Sequence, residues 1–176
     1  MKQLLIVWHS RTGAARQRAQ AAARGAAAAA AALDQAEDLR VELRRAQDVD
    51  ADVLLASQGC LFCAPENLAS LSGEMKEFFD RNYYAVLDRM QGLPYAAMIS
   101  AGSDGAGAAR QVERICTGWR LSAVAPAVIV NLSAQTAEQI LAPKTVPPGE
   151  LARCEELGGL LAGIMLIGGV MKRHGG

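Results

Sequence analysis

Ser10-Arg11-Thr12-Gly13-Ala14-Ala15 is the first segment whose residue types could do chemistry, because it follows an apolar run and opens a helix-forming stretch. Unpaired N–H groups at a helix N-terminus carry the positive end of the dipole and can hold a phosphate. The hydroxyls of Ser10 and Thr12 add donors, Gly13 permits close approach, and the Arg11 guanidinium suits phosphate oxygens. The segment lacks both the Gly-x-x-x-x-Gly-Lys of a nucleoside-triphosphate loop and the Gly-x-Gly-x-x-Gly of a dinucleotide fold, so a phosphate monoester is the expected ligand. A plain capped turn is the alternative, since Ser and Thr are common helix caps. Cys60-x-x-Cys63 has the spacing of a redox dithiol or half a zinc site. A metal needs two more ligands, and Cys116, Cys154, His9 and His174 show no paired spacing; we therefore expect no metal and read the thiols as small apolar lining. His9 reads as a turn residue or a ligand contact, and His174 as a solvated side chain in a basic tail. With no triad or carboxylate pair visible, the catalytic residues stay unassigned.

The elements that must position these residues follow from periodicity. Gln3 to Trp8 reads as a buried strand, and the Ala-rich residues 14–32 as a helix. Arg40–Leu43 is a second strand and Ala51–Ser57 a third, from which Gly59–Ser70 leaves as a long loop suited to a ligand wall. Residues 72–90 carry Met75, Phe78, Phe79, Val86, Leu87 and Met90 at helical spacing, with Ser72 placed to cap. A fourth strand, Tyr95–Ser100, opens into the glycine-rich Gly102–Gly107, and a helix bearing Val112, Ile115, Cys116 and Trp119 follows. Ala127–Leu132 is a fifth strand, 133–148 a polar, Pro-containing excursion, and 149–170 the last helix, whose glycines suit close packing on a sheet. Trp8 and Trp119 read as packing residues; Tyr83 and Tyr84 could line a substrate or dimer surface. Strands alternating with helices mean a parallel sheet covered on both faces. Ligands of such sheets sit beyond the carboxyl ends of the strands, at the point where the winding reverses. The loops leaving strands one, three and four should therefore build the site.

Composition narrows the function. The 176 residues suit one domain, 1–176, and 51% of them are hydrophobic. Eighteen basic and eighteen acidic side chains cancel, which argues against a nucleic-acid module and against a disordered acidic chain. Leu157 to Val170 falls short of the ~20 residues a membrane helix needs, so no membrane span is expected. Four scattered cysteines and no recognisable export signal suit a reducing cytoplasm.

Ser10-x-Thr12-Gly13 after the first strand, Phe62-x-x-Pro65, and Leu71-Ser72-Gly73-Glu74-Met75-Lys76-Glu77-Phe78-Phe79-Asp80 together resemble the flavodoxin-like FMN proteins. The likeness is to the NAD(P)H:quinone oxidoreductase group that includes tryptophan-repressor-binding-protein homologues, and it covers residues 3–120. It implies a flavodoxin-like α/β three-layer sandwich with a five-stranded parallel sheet in the order 2-1-3-4-5 and helices on both faces. It also implies FMN, with the phosphate held by Ser10, Arg11, Thr12, Gly13, Ala14 and Ala15. The flavin ring would lie between Pro65, Glu66, Asn67 and Leu68 on one side and Ser100, Ala101, Gly102, Ser103 and Gly105 on the other. Ala15 stands where the family has a second threonine. NAD(P)H as donor, a small-molecule acceptor such as a quinone, and a homo-oligomer come with the same resemblance. The alternatives are a one-electron carrier of the flavodoxin type and a flavin-less binding protein on this fold. Carriers are typically acidic, which steers encounters, so the neutral charge favours the enzyme.

Overall fold

The computed structural model describes residues 1–171, and His174 lies outside them. In chain order the elements are β1 (Lys2–Trp8), α1 (Ala14–Ala32), β2 (Leu39–Arg45), α2 (Ala51–Leu55), β3 (Gly59–Asn67), β4 (Ser70–Leu71), α3 (Gly73–Val86), β5 (Pro94–Ala101), α4 (Ala106–Gly118), β6 (Ser122–Ala123), β7 (Val128–Asn131), α5 (Ala137–Leu141) and α6 (Pro148–Met171). The parallel sheet runs β2-β1-β3-β5, and both β6 and β7 pair with β5 beyond it. The expected fifth strand, Ala127–Leu132, is β7, and β6 is a further short strand ahead of it that the periodicity did not show. Pro126 lies between them and has no N–H to give a ladder. β4 turns back on β3 as a small antiparallel hairpin.

One expected strand is wrong. Ala51–Ser57 is not a strand: Ala51–Leu55 is helix α2, started by Asp50, whose carboxylate accepts from Val53 N at 3.0 Å. The third strand is instead Gly59–Asn67, so the expected loop is mostly the central strand of the sheet. Short apolar runs do not separate buried helix from buried strand. The Asp cap was the deciding signal.

Each face of the sheet has its own core. On one side α3 and α4 bury Phe62, Phe78, Phe79 and Trp119, with ring centroids of neighbouring pairs 5.0–6.5 Å apart. The Trp119 indole donates to Tyr83 O at 3.2 Å, whereas Tyr84 is exposed. On the other side α1 and α6 meet through small residues. A Cβ built on Gly25 would lie 1.9 Å from Glu155 O, and one on Gly158 would lie 2.0 Å from Ala22 O. The close approach that these glycines permit is therefore helix on helix, not helix on sheet. Among the described residues no helix is long and apolar enough to cross a membrane.

Candidate functional site

The turn after β1 is organised by Gly13, which holds φ +96° at the N-cap of α1. Its N–H donates to Ser10 Oγ at 3.0 Å. The N–H groups of Ala14, Ala15 and Arg16 begin the helix and have no intrahelical acceptor. No acidic side chain stands in that first turn, so nothing there neutralises the dipole. Gln17 fastens the turn from outside: its Nε2 donates to Lys144 O at 2.7 Å and its Oε1 accepts from Val146 N at 3.0 Å. Lys144 N in turn donates to Thr12 O at 2.8 Å.

A second wall comes from the hairpin of β3 and β4. Asn67 pairs with Ser70, so Leu68 and Ala69 form a two-residue turn with φ of +51° and +59°. Such turns ordinarily carry Asn-Gly, and Leu68 is a bulky side chain in that conformation, fully exposed at the tip. Glu66 was expected to border the flavin ring. Its side chain does something else: Oε1 accepts from Gly105 N at 2.8 Å and Oε2 from Ala108 N at 3.0 Å, which caps α4. A Cβ on Gly107 would meet Ala69 O, so the hairpin tip presses directly on that helix end. Replacing Glu66 with alanine should remove two charge-assisted hydrogen bonds and cost ~2 kcal/mol. Chemical denaturation would read the loss, while Glu66→Gln should recover part of it.

β5 supplies the third wall through Ser100, Ala101, Gly102 and Ser103. Ala134 N donates to Gly102 O at 3.0 Å, and a Cβ on Gly102 would lie 2.5 Å from Ala134 O. Together the three walls enclose a cavity of about 500 Å³, within the range that holds small-molecule ligands. Every residue expected to hold FMN lines it except Gly13 and Gly105, which are the left-handed N-caps of α1 and α4. Sequence reasoning missed Ala69, Leu132, Ala134, Ile140, Leu141 and Lys144. Five of these follow the last strand. The carboxyl-end rule, applied to that strand too, would have pointed to them. A more open depression of about 620 Å³ adjoins through Arg11, Asn67 and Leu68 and is walled by Gln47, Glu74 and Glu77.

His9 does not line the cavity. Its Nδ1 is 2.9 Å from Ser72 Oγ and its Nε2 is 3.5 Å from Glu74 Oε1. Ser72 occupies the N-cap position of α3, as expected, but its hydroxyl makes no capping bond there. Desolvation lowers the His9 pKa, against the pull of Glu74, and Arg11 lowers it further. The unfolded chain therefore takes up its proton first as pH falls below about 6.5. Stability contributed by neutral His9 is present above that pH and lost below it. His9→Gln should flatten the fall in melting temperature between about pH 7.5 and 5.

Cys60 and Cys63 cannot act as a pair. A strand alternates its side chains, so a spacing of three sends them to opposite faces: Cys60 joins the aromatic core and Cys63 the core under α1. Burial pushes both thiols up to about 12. Cys63 Sγ donates to Ala15 O at 3.1 Å, beneath the first turn of α1.

The sequence profile of the NADPH-dependent FMN reductases matches residues 9–137. No curated protein matches. Among solved structures, an archaeal flavodoxin is similar with a TM-score of 0.72 at 17% identity, covering 93% of this chain and 99% of its own. A flavodoxin, WrbA-like protein from Agrobacterium tumefaciens gives 0.68 at 13%, covering 95% of this chain and 99% of its own. An oxidoreductase from Corynebacterium diphtheriae gives 0.72 at 20%, covering 95% and 98%. At these identities the likeness is one of fold.

Proposed function

Because the chain belongs to the NADPH-dependent FMN reductase family, we propose that it is an FMN-dependent reductase that takes electrons from NAD(P)H and passes them to a small acceptor such as a quinone. One observation carries this reading. The cavity at the carboxyl ends of β1, β3 and β5 joins a helix N-terminus with no acidic side chain in its first turn to a mostly apolar wall that also carries Glu66, Asn67 and Ser103. That donor set fits a group with a phosphate at one end and a flat ring at the other.

FMN, when bound, supplies the electron-accepting ring, as cofactors do where the protein offers no reactive constellation of its own. The chain's residues would do the rest. Ser10, Thr12 and the N–H groups of Ala14 and Ala15 would hold the phosphate, with Arg11 at the exposed edge; Lys144 lines the cavity but gives its ammonium to the carbonyls of Gln139, Ile140 and Ala142. Pro65 to Leu68 and Ala101 to Ser103 would grip the ring from two sides, excluding water from its edges, while Ser100 lines the cavity beside Arg18. The adjoining depression, reached past Arg11, Asn67 and Leu68, offers the second reactant a place beside the first.

The test is a visible spectrum of the purified protein with added FMN, followed by anaerobic NAD(P)H. Bound flavin that bleaches with the nicotinamide supports the reductase. Bound flavin that does not bleach favours the flavodoxin-type carrier, and a protein that retains no flavin sinks both. The formal net charge of zero weighs against the carrier, whose encounters with partners depend on an excess of one sign.

A further inference from the structure

Arg18 is fully buried, with 0% of its surface exposed. Its Nε donates to Cys154 Sγ at 3.3 Å, its Nη1 to Ser100 Oγ at 3.1 Å and its Nη2 to Val128 O at 2.7 Å. None of the three acceptors is a carboxylate. Among the described residues no carboxylate comes within ion-pair distance of it. A guanidinium removed from water without a counter-charge is costly, and a neutral donor such as glutamine could tie helix to sheet without that cost. The charge itself must therefore have a use.

Its position says which. Arg18 lies one turn into α1, and helical side chains lean toward the N-terminus, which is the end that opens on the cavity. Ser100 lines that cavity. Its oxygen accepts from Arg18, and among the described residues its own hydroxyl hydrogen has no protein acceptor, which leaves that hydrogen to a group in the cavity. Charges separated by buried, low-dielectric protein are weakly screened and act over several ångströms.

We infer that Arg18 is the internal counter-charge of the bound phosphate, a specificity-determining residue that makes the cavity select dianionic FMN over neutral riboflavin. The inference rests on the FMN reading above. It assigns Arg18 a role in affinity that neither the exposed Arg11 nor the turn itself supplies, since the field of a buried charge is present whether or not the turn is well formed. Because Ser100 stands between the guanidinium and the cavity, Arg18 acts through that hydroxyl and through space, not by touching the ligand.

The test titrates apo-protein separately with FMN and with riboflavin, for wild type, Arg18→Met, Arg18→Lys and Cys154→Asp. Arg18→Met should cut the preference for FMN at least tenfold, through weaker FMN binding, with riboflavin affinity held within threefold. Arg18→Lys, which keeps the charge, should hold the preference within threefold of wild type. Cys154→Asp keeps the guanidinium but places a carboxylate where the thiol accepts from Nε, so it should lower the preference like Arg18→Met. This variant also decides the matter if Arg18→Met does not fold. An unchanged preference in Cys154→Asp, or an equal loss of both ligands in Arg18→Met, overturns the inference and leaves Arg18 a bridge between α1 and the sheet. Wild type that binds neither flavin overturns the cofactor reading itself and this inference with it.

Discussion

Gly13→Val is expected to yield a folded protein that no longer retains FMN. The reason is conformational, not crowding: a Cβ at Gly13 would meet nothing closer than Gln17 Nε2 at 3.5 Å. The residue instead holds φ +96°, a region that a β-branched side chain occupies only under strain of ~1–3 kcal/mol. The turn relieves that strain by rotating Gly13, which withdraws its N–H from Ser10 Oγ and swings the following N–H groups away from the cavity. A few misdirected donors at a phosphate weaken binding by about a hundredfold, ~2.7 kcal/mol. Fluorescence titration with FMN reads the loss, and circular dichroism should show the helix content unchanged. Gly13→Val binding FMN as tightly as wild type would remove this turn from the site.

A large effect on the fold itself is expected at Gly158. Its Cβ would sit 2.0 Å from Ala22 O and 2.8 Å from Ala22 Cα, so valine there collides with the backbone of α1 and no rotamer relieves it. Overpacking usually costs ~1–3 kcal/mol, and a clash that must separate two helices belongs at the top of that range or above it. For a chain of this size that corresponds to a fall of about 10 °C in melting temperature. Gly163→Ala is the control on the same helix. It has nothing within 4 Å and should gain up to ~1 kcal/mol from helix propensity. Thermal melts of the two variants side by side separate close packing from propensity.

Much of this was readable in the sequence, for physical reasons. Buried strands flanked by long amphipathic or Ala-rich helices leave a strong periodic signal, and β1, α1, α3, β5, α4 and α6 fall where that signal puts them. The loops leaving the first and fourth expected strands also contribute to the cavity. Ala51–Leu55 and Gly59–Asn67 were exchanged because five to nine apolar residues carry no period long enough to decide helix or strand. The role of Glu66 was hidden because its partners, Gly105 and Ala108, lie about forty residues away. Lys144 and Ile140 were hidden because the segment that brings them to the cavity is held there by tertiary contacts from Gln17 and Thr12, not by any local pattern. Arg18 was invisible for the opposite reason: inside an alanine tract it reads as an ordinary solvated helix charge.

The segregation of the cysteines onto two faces gives the molecule an internal probe of its own cooperativity. Cys60 and Cys116 are sealed in the aromatic layer and Cys63 and Cys154 in the alanine-rich one, all four fully buried. An alkylating reagent at neutral pH therefore reaches none of them until a layer opens. The labelling rate of Cys116 times the separation of α4 from the sheet, and that of Cys154 times the separation of α6. Equal rates describe a single all-or-none unfolding unit, and unequal rates describe two halves of the sandwich that open independently.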